Sequence, residues 1–122
     1  MEINYFFDTY AVAEILHGNP NYFEFAEEPV FITMFNLAEI YWIALREYSQ
    51  NEADQIFEKY ANAVQEIDDE TLKESIKFRK EQKKKDLSYT DCIGYIYAAR
   101  NNMKFLTGDK EFERMKNVEF VK

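Results

Sequence analysis

Three observations predict an α/β fold built on a parallel sheet for this chain of 122 residues. Short apolar runs alternate with longer segments of helical periodicity, which is the pattern of strands joined by right-handed crossover helices. The opening run, Ile3 to Phe7, is nearly all apolar, as a strand covered on both faces requires. With 47% hydrophobic residues, 122 positions fit one domain spanning residues 1–122, with a single core.

The elements follow in order. After the first strand, Asp8 and Thr9 are good N-caps for a helix through Val12, Ala13, Ile15 and Leu16, which the break Gly18-Asn19-Pro20-Asn21 ends. Tyr22 to Ala26 suggests one short helical turn. Val30-Phe31-Ile32 is a second strand candidate, capped by Thr33, and a strong helix follows it. There Leu37, Tyr41, Ala44, Leu45 and Tyr48 recur at helical spacing while Phe35, Ile40, Trp42 and Ile43 make the other sides apolar. Such a helix is either deeply buried or shared with another chain. Ala53, Ile56, Phe57, Tyr60, Ala61 and Val64 trace an amphipathic helix, and Val64 to Ile67 is a short third strand candidate. Asp68 or Asp69 then caps a helix through Leu72 and Ile76 that runs into a lysine-rich strip, with Lys73, Lys77, Lys80 and Lys84 on one face. Ser88 starts a helix with little solvent face, in which Gly94 permits close backbone approach. Lys104 to Thr107 reads as a fourth strand, Gly108-Asp109 as a turn into a short helix around Phe112 and Met115, and Val118 to Val121 as an edge strand.

Composition excludes several classes. The lone Cys92 rules out an internal disulfide and a cysteine-rich zinc site, and fits a reducing compartment, most simply the cytoplasm. No segment has the length of a membrane span, and the N-terminus lacks the pattern of a signal peptide. The net charge of −8 argues against bulk electrostatic coating of nucleic acid. Yet seven basic residues between Lys73 and Lys85 face only Glu74 and Glu81, so that window carries +5 and the remainder −13. A local strip of that kind can hold RNA phosphates. There is no Gly-rich phosphate loop, His17 stands alone beside a chain break, and Cys92 has no histidine partner.

Four acids carry the chemistry. In an open parallel sheet, ligands bind beyond the carboxyl ends of the strands where strand order reverses, and Asp8 and Asp109 follow the first and fourth strand candidates directly. Glu39 and Asp91 lie in early turns of helices that face the same rim. Each acid also has a structural reading: Asp8 and Asp109 as N-caps worth ~1 kcal/mol, and Asn36 to Glu39 and Ser88 to Asp91 as capping boxes. Capping does not require all four to crowd together. Crowded carboxylates raise one another's pKa unless a cation offsets them, and hard oxygen ligands suit Mg²⁺ or Mn²⁺.

The blocks Tyr5-Phe6-Phe7-Asp8-Thr9, Asn36-Leu37-Ala38-Glu39-Ile40, Leu87-Ser88-Tyr89-Thr90-Asp91-Cys92 and Phe105-Leu106-Thr107-Gly108-Asp109-Lys110-Glu111-Phe112 resemble the PIN-domain family of metal-dependent ribonucleases. The likeness is greatest to its VapC-type toxins from prokaryotic toxin–antitoxin pairs. It implies a three-layer α/β/α domain with sheet order 3-2-1-4-5 and Mg²⁺- or Mn²⁺-dependent cleavage of single-stranded or loop RNA. It also implies a cognate antitoxin and a homodimer. By position, Asp8 and Asp91 would be the main metal ligands, Asp109 a further ligand directly or through water, and Glu39 a holder of metal-bound water or a base. Thr9, Ser88 and Thr107 would donate hydrogen bonds behind them. Apart from the resemblance, the basic strip leads directly into the Ser88 helix, which suggests Lys80 and Lys84 as residues that guide RNA. Two departures stand out: Tyr10 occupies a place that is often small and polar, and Cys92 the place of a small residue.

Other functions are weighed on the same residues. A phosphotransferase using Asp8 as nucleophile, as in haloacid-dehalogenase-like enzymes, usually needs a second Asp at position 10, where this chain has Tyr10. A catalytically weak PIN-like interaction module is the main alternative, and apolar surface around Trp42 and Ile43 would then serve a partner.

Overall fold

A computed structural model describes residues 2–122. Strand β1 (Asn4–Phe7) leads into α1 (Thr9–Leu16) and a 3-10 turn at Pro20–Phe25. Helices α2 (Met34–Glu47), α3 (Gln50–Ala61), α4 (Asp69–Glu81) and α5 (Tyr89–Arg100) follow in succession. The chain then returns as β2 (Met103–Thr107), a 3-10 turn at Lys110–Phe112 and β3 (Val118–Phe120).

β1 pairs in parallel with β2, Phe6 opposite Phe105 and Phe7 opposite Leu106, and β2 pairs in parallel with β3. On the other side of β1 the sheet continues by single parallel bridges, Phe6 with Phe31 and then Ile32 with Val64. Read across, the order is the expected 3-2-1-4-5. The second and third members are nevertheless one-residue contacts and not the strands expected at 30–32 and 64–67. Thr33 enters the cap of α2 immediately after Ile32. The segment therefore leaves the sheet once the Ile32 amide has reached the Ala63 carbonyl and its carbonyl the Gln65 amide.

The two faces of the sheet bury different clusters, because neighbouring residues of a strand point to opposite sides. Phe7, Leu106 and Ile32 pack with Ala11, Val12, Leu37, Ile40 and Tyr60 from α1, α2 and α3. Phe6 and Phe105 pack with Cys92, Tyr95, Ala98 and Phe112 on the side of α4 and α5. Phe6, Phe7 and Phe105 are fully buried. Each such side chain contributes roughly 1.5–3 kcal/mol relative to exposure. This is the three-layer α/β/α arrangement. Gly94 brings α5 down onto the sheet, since a Cβ there would lie 2.7 Å from the Phe6 ring.

Local departures from expectation have local causes. The C-terminal short helix is a single 3-10 turn. Helix α4 ends at Glu81, so Lys83, Lys84 and Lys85 lie beyond it and only Lys73, Lys77 and Lys80 remain on the expected helical face. No helix among the described residues is long and apolar enough to cross a membrane.

Candidate active site

The acids approach one another at the carboxyl end of the sheet, beside β1 and β2. The chain leaves β1 for opposite sides at this point: Phe31 bridges one flank and β2 the other, which makes it the switch point of the fold. Asp8 is the first residue beyond β1 and caps α1, its Oδ1 accepting from the Thr9 amide at 2.9 Å. Its Oδ2 accepts from the Thr107 hydroxyl, the last residue of β2, at 2.7 Å. That hydroxyl also accepts from the Asp109 amide at 3.1 Å. One threonine thus ties together the two acids that follow the two central strands. Asp109 caps the 3-10 turn, with Oδ1 accepting from the Glu111 amide at 3.0 Å.

Glu39 enters from the second turn of α2. The Thr9 hydroxyl donates to its Oε1 at 2.6 Å, and Asn36 donates from Nδ2 to the Thr9 hydroxyl at 3.1 Å. Fully buried Asn36 in turn accepts at Oδ1 from the Thr33 amide and hydroxyl, at 2.9 and 2.8 Å. The capping box of α2 is therefore Thr33 with Asn36, and the suggested box from Asn36 to Glu39 does not form. Glu39 is free of any capping duty. Asn36 is the residue that sequence reasoning missed: a buried amide in a helix whose neighbours are apolar was the available signal, since such a group must find partners.

Asp91 takes part in a helix cap and lies within electrostatic reach of Asp109 and Glu39. It forms the expected capping box with Ser88, accepting from the Ser88 amide at Oδ2 at 2.9 Å while its own amide donates to Ser88 Oγ at 3.0 Å. Ser88 thus supports Asp91 by donating from its backbone amide, while its hydroxyl accepts from the Asp91 amide.

Electrostatics reveal how close the acids are. Burial first, and then the Asp91 carboxylate, push Asp8 up to about 8 against the lowering effect of the Thr107 and Thr9 hydrogen bonds; Glu39 adds to the rise. Asp91 is also raised, first by burial and then by Asp109 and Glu39, while the Ser88 bonds oppose the shift. Every acid of the four is therefore felt by at least one other. Among the described residues no three His, Cys, Asp or Glu side chains close on a single point as a finished ion cage. Mg²⁺ needs only one or two carboxylates and keeps several waters, so near neighbours suffice. The donor set fits such an ion: all hard oxygens, with a carboxyl at Asp8 whose ionised form burial and Asp91 disfavour unless a cation offsets it.

The sequence profile of the PIN domain matches residues 5–118. This chain belongs to the PIN domain family. Among solved structures the PIN chain is similar to a toxin–antitoxin complex from Klebsiella pneumoniae, with TM-score 0.75 and 18% identity over 95% of this chain and 96% of that one. It is also similar to VapBC2 from Rickettsia felis bound to a DNA fragment from their promoter, with TM-score 0.71 and 17% identity over 98% and 100% of the two chains. PAE2754 from Pyrobaculum aerophilum gives TM-score 0.68 and 17% identity over 98% and 92%. No curated protein matches the chain.

Around this PIN site the remaining candidates separate. Lys80 and Lys84 are exposed. Lys85 of the same strip donates from Nζ to the Glu111 carbonyl at 3.0 Å, which ties the basic turn to the turn that Asp109 caps. Tyr10 packs over Gly108, whose Cβ, if present, would lie 2.4 Å from the ring. The unusual residue therefore walls the Asp109 side of the site. Cys92 is buried and its thiol is pushed up to about 11, first by burial, so it is a core residue. His17 pairs with Glu47 at 2.7 Å on an exposed surface. A cavity of about 750 Å³ lined by Glu2, Tyr5, Glu24, Glu28 and Glu119 includes none of the four acids.

Proposed function

We propose that this PIN domain is a Mg²⁺- or Mn²⁺-dependent endoribonuclease and the toxin of a type II toxin–antitoxin pair. The observation that carries the reading is Asp8: a buried carboxylate at the switch point, raised by burial and by Asp91 and bridged through Thr107 to the limb of Asp109. Asp8, Asp91 and Asp109 would hold the ion. Bound there, it supplies Lewis-acid chemistry that activates water and offsets charge on the leaving oxygen. Thr9 holds Glu39 by Oε1, which leaves Oε2 to orient water and accept its proton. Thr107 and Ser88 hold Asp8 and Asp91 in fixed rotamers, so that little reorganisation accompanies the reaction.

The test is direct. Purified protein incubated with a structured RNA pool should yield internal cleavage fragments with Mn²⁺ and none with EDTA, and Asp91→Asn should slow the metal-dependent reaction by roughly 10²-fold or more. Equal cleavage in EDTA would sink the metal reading; no cleavage in either condition would favour the interaction module.

A toxin of this kind needs an antitoxin, and the fold offers a surface for one. The outer side of α2 leaves Met34, Phe35, Trp42 and Leu45 exposed, while Leu37, Ile40 and Ala44 of the same helix are buried. Trp42 is 61% exposed, with Arg46 over its ring at 5.9 Å. A contiguous apolar stripe of this kind suits an antitoxin or a second copy of the chain. Trp42→Glu should weaken that association by roughly 10-fold or more and leave the melting temperature nearly unchanged. Size-exclusion chromatography of the chain alone, and with any small protein that a neighbouring reading frame encodes, would read both associations. Wild-type assembly by the variant in both cases would remove α2 from the interface.

A further inference from the structure

We propose that Tyr89, backed by the guanidinium of Arg79, is a stacking platform for one nucleobase of single-stranded RNA at the mouth of the acidic site. The inference rests on the nuclease reading and names the residues that would position a base of the RNA.

Tyr89 opens α5, directly after the Ser88 cap and two residues before Asp91. It is 58% exposed, although the burial of α5 is already carried by Cys92, Ile93, Tyr95 and Ala98. The core has no need of this ring. One of its faces lies against Arg79, whose Cζ stands 4.3 Å from the ring centroid. Arg79 is itself fixed, because its Nε donates to the Leu87 carbonyl at 2.9 Å. A flat ring held from behind by a planar cation has little conformational freedom to lose, and its open face is a surface on which any base can stack.

The surroundings supply the second half of a single-strand site. Nε is taken by Leu87, so the other guanidinium N–H groups would be the ones to meet a phosphate. Lys80, Lys83 and Lys84 are exposed along the end of α4 and the turn beyond it. Lys85, bonded to the Glu111 carbonyl, carries that turn across to the limb of Asp109. These lysines would form a cationic path from the stacking pair toward the limb of Asp109, interrupted by exposed Glu81 and Asp86. Phosphates would follow the lysines while a base sits on Tyr89. Only an unpaired, unstacked base can offer its face in this way, so a duplex of the same sequence is excluded.

An exposed Arg–Tyr pair that merely pins α4 to α5 is the competing account, and cleavage kinetics separate the two. The substrates are a short single-stranded RNA, the same RNA made abasic at successive positions, and its duplex. Wild type should show one position where loss of the base raises KM by roughly 5- to 100-fold. Tyr89→Ala should show that raised KM on the intact strand, no further response to the abasic position, and a kcat within a few-fold of wild type. Tyr89→Phe should restore wild-type KM. Tyr89→Leu, which keeps apolar bulk without a π face, should behave as Tyr89→Ala even where its melting temperature equals that of wild type. If wild type cleaves and Tyr89→Leu retains both the wild-type KM and the abasic response, the platform is overturned and the nuclease reading stands. If wild type cleaves no RNA under any metal condition, both fall together.

Discussion

Asp8→Asn should raise the thermal stability of the metal-free protein at pH 8 while removing its metal-dependent cleavage. In the unfolded chain this carboxyl ionises near 3.8, but in the fold burial and Asp91 hold it up to about 8. Between those values the folded state binds more protons than the unfolded one, so the group's contribution to stability is fully present below about pH 4 and is lost as pH rises through 8. Asp91, raised for similar reasons, pulls in the same direction. Asparagine keeps the volume, can accept from the Thr9 amide and cannot ionise. In EDTA at pH 8 the variant should therefore melt roughly 5–10 °C higher than wild type, a few kcal/mol of relief. At pH 4 the difference should vanish. Mn²⁺ should raise the melting temperature of wild type at pH 8 and leave Asp8→Asn almost unmoved, with cleavage reduced by at least roughly 10²-fold. Melting curves from pH 4 to 9, with and without metal, check every part. A wild type whose melting temperature climbs steadily to pH 9 in EDTA would refute the assignment of the strained charge to this site.

Gly108→Ala should be the most damaging single methyl addition near the site. The new Cβ would stand 2.3 Å from the Val121 carbonyl oxygen and 2.4 Å from the Tyr10 ring. The carbonyl has no room to swing away, because it accepts from the Tyr22 hydroxyl at 2.5 Å and the Val121 amide donates to the Thr107 carbonyl at 2.9 Å. Steric conflict with backbone held on two sides should cost about 3 kcal/mol or more, read as a fall in melting temperature of roughly 10 °C or more. Cleavage should fall even well below that melting temperature, since the displaced backbone carries Asp109. Tyr10→Ala combined with Gly108→Ala should recover only part of the loss, because the carbonyl clash remains. An unchanged melting temperature for Gly108→Ala would show that the C-terminal segment is not clamped against this turn.

The acids illustrate how helix caps and mutual electrostatic contact coexist. Asp8 and Asp109 are N-caps, and Asp91 closes a capping box, as their local sequences suggest. Local sequence could not say that the same carboxylates would also feel one another, because that depends on which strand ends lie side by side. Glu39 shows the opposite case. Its supposed capping box was a coincidence of spacing, and the true box begins three residues earlier at Thr33, which stands where Ile32 leaves the sheet. The lysine strip was legible as charge, but its bond to Glu111 and the Arg79 contact to Leu87 cross between elements and leave no periodic trace. Trp42 was legible as surplus apolar surface on α2, and it is 61% exposed while Leu37, Ile40 and Ala44 of the same helix are buried.

The sequence by itself determined the alternation of strands and helices, the caps, and the two-sided burial of β1, because hydrophobic period and capping chemistry act over a few neighbouring residues. Only the tertiary structure decided that the outer sheet members shrink to single bridges, that Asn36 and Thr9 carry Glu39 to Asp8's neighbourhood, and that Thr107 joins Asp8 to Asp109. Those contacts join residues up to 99 positions apart. Their formation depends on the parallel pairing of β1 with β2, whose partners are chosen by packing of the whole chain and not by any local preference.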